Sequence, residues 1–224
     1  MTSTFEKLLD SIRACRICRD APRYGSALPH EPRPVLQARV SARICIIGQA
    51  PGTHVHASGR PYTGASGVRL RAWLGLDETA FYDARNIALV PMGFCFPGND
   101  AKGGDLPPRR ECREAWHAQV LDQLTRVELT LLIGQHAQRW HLPAALTAGG
   151  VTGTVERWKE IYRPADRHRL IPLPHPSWRN TGWLKHHPWF EAELLPVLRS
   201  DVAALLGPTP ASGRSASLAR YARA

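Results

Sequence analysis

The chain has 224 residues and a mass of 24.8 kDa, which suits one domain, or one domain and a tail, since a globular domain takes roughly 100–200 residues. With 43% hydrophobic and 21% charged residues it can bury a core, and no apolar run approaches the ~20 residues that cross a bilayer. Twenty-nine Lys and Arg against nineteen Asp and Glu give a formal net charge of +10, an excess that suits a polyanion such as nucleic acid, whose neutralised phosphates release counterions. The opening stretch MTSTFEKLLDSIRACRICRD carries acids and lacks an apolar segment, so no secretory signal is expected and a cytoplasmic location is the default expectation.

In chain order, Phe5, Leu8, Leu9 and Ile12 stand at helical spacing, and Cys15 and Cys18 follow directly. Residues 22–41 hold four prolines and read as irregular surface chain. A first apolar run, residues 44–47, ends in Gly48-Gln49-Ala50-Pro51-Gly52. Ser66 is placed to cap a helix that runs through Leu70, Trp73 and Leu74 and stops at Gly75. A second apolar run, 87–90, ends in Pro91-Met92-Gly93-Phe94-Cys95. Trp116, Val120, Leu121 and Leu124 mark another helix, and the third run, 129–133, ends in Gly134-Gln135-His136. The fourth, 170–173, ends in Pro174-His175-Pro176-Ser177. Residues 190–206, with Leu194, Leu195, Leu198, Val202 and Leu205, read as a closing helix despite Pro196. Residues 1–206 are therefore expected to form the domain. Residues 207–224, small, polar and basic with Arg214, Arg220 and Arg223, read as a disordered tail.

Strands that are apolar nearly throughout and alternate with helices predict an α/β fold, with a mostly parallel four-stranded sheet covered on both faces. Such sheets bind ligands in the crevice beyond the carboxyl ends of their strands, where all four loops are expected to converge. Gly and Pro also punctuate ordinary strand-to-helix turns, so the loops alone do not establish a site.

Cys15-x2-Cys18, Cys95 and Cys112 make a set of four thiols, with sixteen residues between the last two. In a cytosolic chain such a group indicates metal more often than disulfides. Spacing alone admits zinc, an iron–sulfur cluster or four unrelated reduced thiols. Cys45, inside the first strand, is left over and reads as a small buried hydrophobe.

Three pieces, in this order, resemble the uracil-DNA glycosylase superfamily. GQAPGTHVHASGRPYTGASG, residues 48–67, is similar to the GE(A/G)PG…GRPFxGxxG stretch of the iron–sulfur uracil glycosylases. HPSWRN, residues 175–180, looks like the His-Pro-Ser loop that members press into the DNA minor groove, and Cys15, Cys18, Cys95 and Cys112 complete the set. With the strand order, the resemblance covers roughly residues 5–206. It implies the three-layer sandwich of that family, acting as a monomer on uracil-containing DNA to hydrolyse the N-glycosidic bond of deoxyuridine. A base inside a duplex must first be extruded, at a cost of a few kcal/mol. The resemblance gives the offsetting contacts to Trp178 or Arg179 as wedge and to Ser177, Arg179 and Asn180 on phosphates, with Lys185, His186 and His187 within reach of a backbone. It places Tyr62 as the stacking platform, Ala50, Met92, Gly93 and Phe94 around the base, and His175 as donor to the developing uracil anion. It also favours a [4Fe–4S] cluster on the four cysteines, structural rather than redox.

Two positions depart from the family pattern. Best-known members carry Asp at the position of Ala50 or Glu at that of Gln49, and this chain has neither. Gln49 can orient a water molecule but cannot accept its proton, so Gln49 is expected to position the nucleophile, with His54, His56 and Asp83 as candidate bases. The Asn that reads the uracil edge in iron–sulfur members is Pro91 here, which leaves backbone groups around residues 92–94 for that task. Two rival readings follow: a protein of the same fold that binds uracil or abasic DNA without turnover, and a phosphate-binding hydrolase of another α/β family, although GQAPG lacks the Lys-Ser/Thr of a P-loop. The leading reading requires that Gln49, Tyr62 and His175 close around one pyrimidine.

Overall fold

Four strands, β1 (Ile44–Ile47), β2 (Ile87–Leu89), β3 (Leu129–Ile133) and β4 (Arg169–Leu173), form one sheet in the order β2-β1-β3-β4, and every neighbouring pair is parallel. They belong to a computed structural model that describes residues 3–207, so the expected basic tail lies, Gly207 apart, outside the described residues. Ile46 stands opposite Leu89 on one side and Leu131 on the other, and Leu131 stands opposite Ile171.

The alternation of side chains along each strand sorts the core into two layers. Ile44, Ile46, Leu89, Leu129, Leu131, Ile133, Ile171 and Leu173 pack with Leu70, Trp73 and Leu74 of the helix Ala65–Leu74 and with Leu198, Val202 and Leu205 of the closing helix Leu195–Leu206. Cys45, Ile47, Ala88, Val90 and Leu132 pack on the other face with Phe5, Leu9 and Ile12 of the helix Thr4–Arg13 and with Val120 of Ala118–Gln123. The three-layer α/β/α sandwich expected from the sequence is the architecture found, and its strands read as unbroken apolar runs because both faces are covered.

The two sheet edges are treated differently. On the β2 side, Gln37 forms an antiparallel bridge to Leu89, exchanging N–H···O bonds of 3.0 and 2.7 Å, so the proline-rich stretch covers that edge. On the β4 side, Pro172 takes one donor out of the outermost strand, the place in a sheet where proline is tolerated.

The helices differ from expectation in detail. Gly64, not Ser66, precedes the helix Ala65–Leu74, and no side chain caps it. Ser66 already lies inside the first turn, beyond the position from which a side chain reaches back to the free N–H groups. Gly75 ends this helix at φ 69°, as expected. The closing helix is preceded by a wider turn, Phe190–Leu194, and Pro196 is the second residue of Leu195–Leu206. Pro196 has no N–H for the carbonyl four residues earlier, and the chain accommodates that by widening before the proline rather than breaking. No helix among the described residues is long and apolar enough to cross a membrane.

Leu198 is fully buried between the closing helix and the sheet. Leu198→Ala is expected to lower the free energy of unfolding by about 2–5 kcal/mol in a urea titration, through lost burial and the cavity left behind.

Candidate functional site

The loops after β1, β2 and β4 enclose a cavity of about 680 Å³ at the carboxyl edge of the sheet. Gln49, Ala50, Tyr62 and His175 all line it, so residues far apart in the chain share one space. Pro91 lines the same wall, and Ser177, Trp178 and Arg179 close one side. The loop after β3 does not contribute as expected: the helix Gly134–His141 starts at once, and the Gln135 side-chain oxygen, in the orientation that satisfies both groups, accepts from the Arg139 guanidinium.

Tyr62 is built into this cavity by its backbone. Its φ of 56° puts a bulky residue in the left-handed region, where side chains other than glycine are strained. Two glycines make room. A Cβ at Gly67 would strike the Tyr62 carbonyl oxygen, and a Cβ at Gly48 would strike the Tyr62 hydroxyl. The ring meets Phe81 edge to face, with centroids 5.9 Å apart, and burial pushes its phenol pKa up. Tyr62 is therefore a fixed, neutral aromatic wall.

His175 leaves β4 within a braced loop. Burial lowers its imidazole pKa, and the charge of Asp105 opposes part of that shift, so the ring is neutral at pH 7. Asn180 Nδ2 donates to the His175 carbonyl at 2.7 Å, and the Ser177 hydroxyl oxygen accepts from the Arg179 N–H at 3.2 Å. The amide nitrogen of Asn180, expected on a phosphate, is committed to shaping the loop instead, while the Ser177 hydroxyl keeps its own proton to donate. Arg69 supports the loop from below, donating to the Ser177 carbonyl at 2.6 Å and to the Thr181 hydroxyl at 3.1 Å. Spacing along the sequence gave no sign of Arg69. At the tip, Trp178 is 72% exposed, and the Arg179 guanidinium lies 5.9 Å from its ring. Beyond the tip, His186 and His187 turn back on carbonyls of their own helix, and the His187 ring stacks on Trp183 with centroids 4.3 Å apart. Lys185 stays exposed.

The expectation for residues 92–94 fails. Met92 and Phe94 are buried in the second core layer, and all three N–H groups have partners inside the protein. Met92 donates to the Gly48 carbonyl at 2.9 Å, Gly93 to the Gln49 carbonyl at 3.0 Å, and Phe94 to the Cys112 sulfur at 3.2 Å. Their apolar side chains gain more from the core than from a wet cleft, and their backbone ties the second loop to the first. Of the candidate bases, His54 lines the cavity. His56 packs against His30 and Phe96, with centroids 4.5 and 5.9 Å away, and Asp83 pairs with Arg85 at 2.8 Å just ahead of β2, at the opposite end of the sheet. Asp105 lines the cavity and went unnoticed in the sequence.

Cys15, Cys18, Cys95 and Cys112, all free thiols, line a second, narrow cavity with Ile12, Pro32, Pro34, Phe94, Arg109 and Trp116. Two donors point at sulfur: the Phe94 N–H at Cys112 and the Trp116 indole N–H at Cys15, each at 3.2 Å. Burial pushes the Cys95 thiol up to about 12 and Cys112 well above its ordinary value, so thiolates here need a cationic partner. No three or more His, Cys, Asp or Glu among the described residues are grouped to hold a metal ion, and what the four cysteines share is the lining of this narrow cavity. Cys45 sits in β1 and packs as an apolar residue, as expected.

Gly67→Ala is expected to destabilise the fold by about 1–3 kcal/mol, because the added methyl meets backbone that cannot move aside. A loss within experimental error in thermal or urea unfolding would contradict the described course of the chain at Tyr62.

A family model described as the uracil DNA glycosylase superfamily matches residues 36–199. The chain belongs to that superfamily.

Proposed function

We propose that this uracil DNA glycosylase superfamily member hydrolyses the N-glycosidic bond between uracil and deoxyribose in DNA, releasing uracil and leaving an abasic site. The observation that carries this reading is the meeting of Gln49, Tyr62 and His175 in one cavity beneath the Trp178–Arg179 tip.

Extruding a nucleotide costs a few kcal/mol. The exposed Trp178 ring fills the vacated stack, and Arg179 and the Ser177 hydroxyl hold the flanking phosphates. In the cavity the uracil ring stacks on Tyr62, a contact worth about 1–3 kcal/mol. As the bond between C1′ and N1 breaks, the electron pair leaves with uracil and the sugar gains oxocarbenium character. The neutral His175 imidazole then donates an N–H to the uracil oxygen where charge gathers, stabilising the transition state more than the ground state. Gln49 orients the water that adds to C1′. With Pro91 at the wall and the N–H groups of 92–94 engaged, the edge of the base meets few fixed donors, so discrimination rests on cavity shape and on His175.

Cys15, Cys18, Cys95 and Cys112 would hold a [4Fe–4S] cluster, because four thiols face one enclosure with N–H donors aimed at two of them. When bound, the cluster supplies a cross-link between the N-terminal segment and the chain around Cys95 and Cys112. Protein purified without added metal is expected to be brown and to carry about four irons per chain; a colourless, iron-free and fully active protein would rule the cluster out.

The decisive assay incubates the protein with a labelled uracil oligonucleotide, single- or double-stranded, cleaves abasic sites with alkali and measures strand scission. Gln49→Ala is expected to slow single-turnover excision at least tenfold, and His175→Ala about 10²–10³-fold. Retention of the oligonucleotide without scission would replace the enzyme reading by that of a binding protein for uracil or abasic DNA.

A further inference from the structure

Asp105 is the one carboxylate among the described residues that line the cavity, and it arrives from a part of the chain remote from the first loop. Residues 98–106 form a closed hairpin between Cys95 and Cys112. The Leu106 N–H donates to the Gly98 carbonyl at 2.9 Å, the Asp100 N–H to the Gly104 carbonyl at 2.8 Å, and Asp100 Oδ1 accepts from the N–H groups of Lys102 and Gly104 at 2.8 and 2.9 Å. Asn99 and Asp105 pair across this hairpin, and Asn99 Nδ2 donates to Asp105 Oδ1 at 3.1 Å. The side-chain partner of Asp105 is thus a neutral amide, which orients the carboxylate without neutralising it. The other oxygen, Oδ2, approaches the first loop so closely that a Cβ at Gly52 would sit 3.2 Å from it.

We propose that Asp105 is the catalytic base, standing in from the second loop for the acid that the first loop lacks. The inference rests on the reading of function above. Gln49 orients the attacking water, and Asp105 Oδ2 takes its proton as the water oxygen bonds to C1′. The C1′–N1 bond breaks, and its electron pair stays on uracil, stabilised by the His175 N–H. The products are the hydroxylated sugar, the uracil anion and a protonated Asp105, which then returns its proton to uracil or solvent. Every proton and electron pair is accounted for without a co-reactant. The titratable or charged groups lining the same cavity are His54, Tyr62, His175 and Arg179.

The test compares the wild-type chain with Asp105→Asn, which keeps the acceptor for Asn99 but cannot take a proton, and with Asp105→Glu, which keeps the carboxylate. Single-turnover excision from a uracil oligonucleotide is measured at neutral pH, together with affinity for that oligonucleotide and melting temperature. Asp105→Asn is expected to slow excision at least tenfold with affinity and melting temperature unchanged, a general base being worth about 10²–10⁴. Asp105→Glu, which keeps a proton acceptor at this position, is expected to retain more of the rate than Asp105→Asn. An Asn variant within tenfold of wild type, or a Glu variant as slow as the Asn variant, overturns the proposal. An inactive wild-type chain sinks the functional reading as well, whereas an active wild type with an equally active Asn variant sinks only the role of Asp105.

Discussion

Four strands that all point one way impose the rest of the molecule. A parallel pair cannot be joined by a tight turn, so each strand is followed by a long return over a face of the sheet. Both faces are then covered, the strands become apolar throughout, and their carboxyl ends open on the same side. Polar side chains excluded from the strands accumulate in the loops at that edge. Gln49 after β1, Pro91 after β2 and His175 after β4 become neighbours for this reason, although up to about 126 positions of chain separate them. The sheet is packed from both faces, by Ile46 and Leu131 in one layer and by Cys45, Ile47 and Leu132 in the other, so the loops inherit a fixed base.

What the sequence displayed in contiguous form, the structure retains. Apolar runs of four or five residues defined the strands, the stop at Gly75 was legible as a left-handed cap, and the continuous motif around Tyr62 and the His175 loop pointed to one cavity. What depended on three-dimensional closure was lost. Residues 92–94 follow a strand and so read as cavity wall, but Met92 and Phe94 carry apolar side chains into the second core layer. Asn180 read as a surface contact, yet its amide closes the turn on the His175 carbonyl. Asp83 looked close to the second loop by number, but it lies ahead of β2 and therefore at the wrong end of the sheet. Asp105 had no local signature, because its position depends on a hairpin whose two ends are held by hydrogen bonds and whose flanks carry Cys95 and Cys112.

That last placement links the two cavities. The wall of the larger one includes Asn99, Gly103 and Asp105, and the chain that presents them begins and ends at thiols lining the smaller one. Glu111, next to Cys112, accepts from the N–H groups of Arg23 and Tyr24 at 3.1 Å and from Arg109 at 2.8 Å, which draws the N-terminal segment against the same support. Arg33 extends the connection by donating to the carbonyls of His56 and Ala57 at the end of the helix that follows the first loop. The cysteine enclosure is therefore tied to the cleft through the chain it shares with the hairpin and through the side chains of Glu111, Arg109 and Arg33.

Tyr62 interlocks with Gly48 and Gly67, so neither glycine is free to drift while the tyrosine stays. A side chain at either glycine collides with the tyrosine, while a β-branched residue at 62 cannot occupy the left-handed backbone that the turn demands. In descendants of this chain the two glycines are therefore held in place for as long as the tyrosine is, while loss of the hydroxyl alone would free only the Gly48 side.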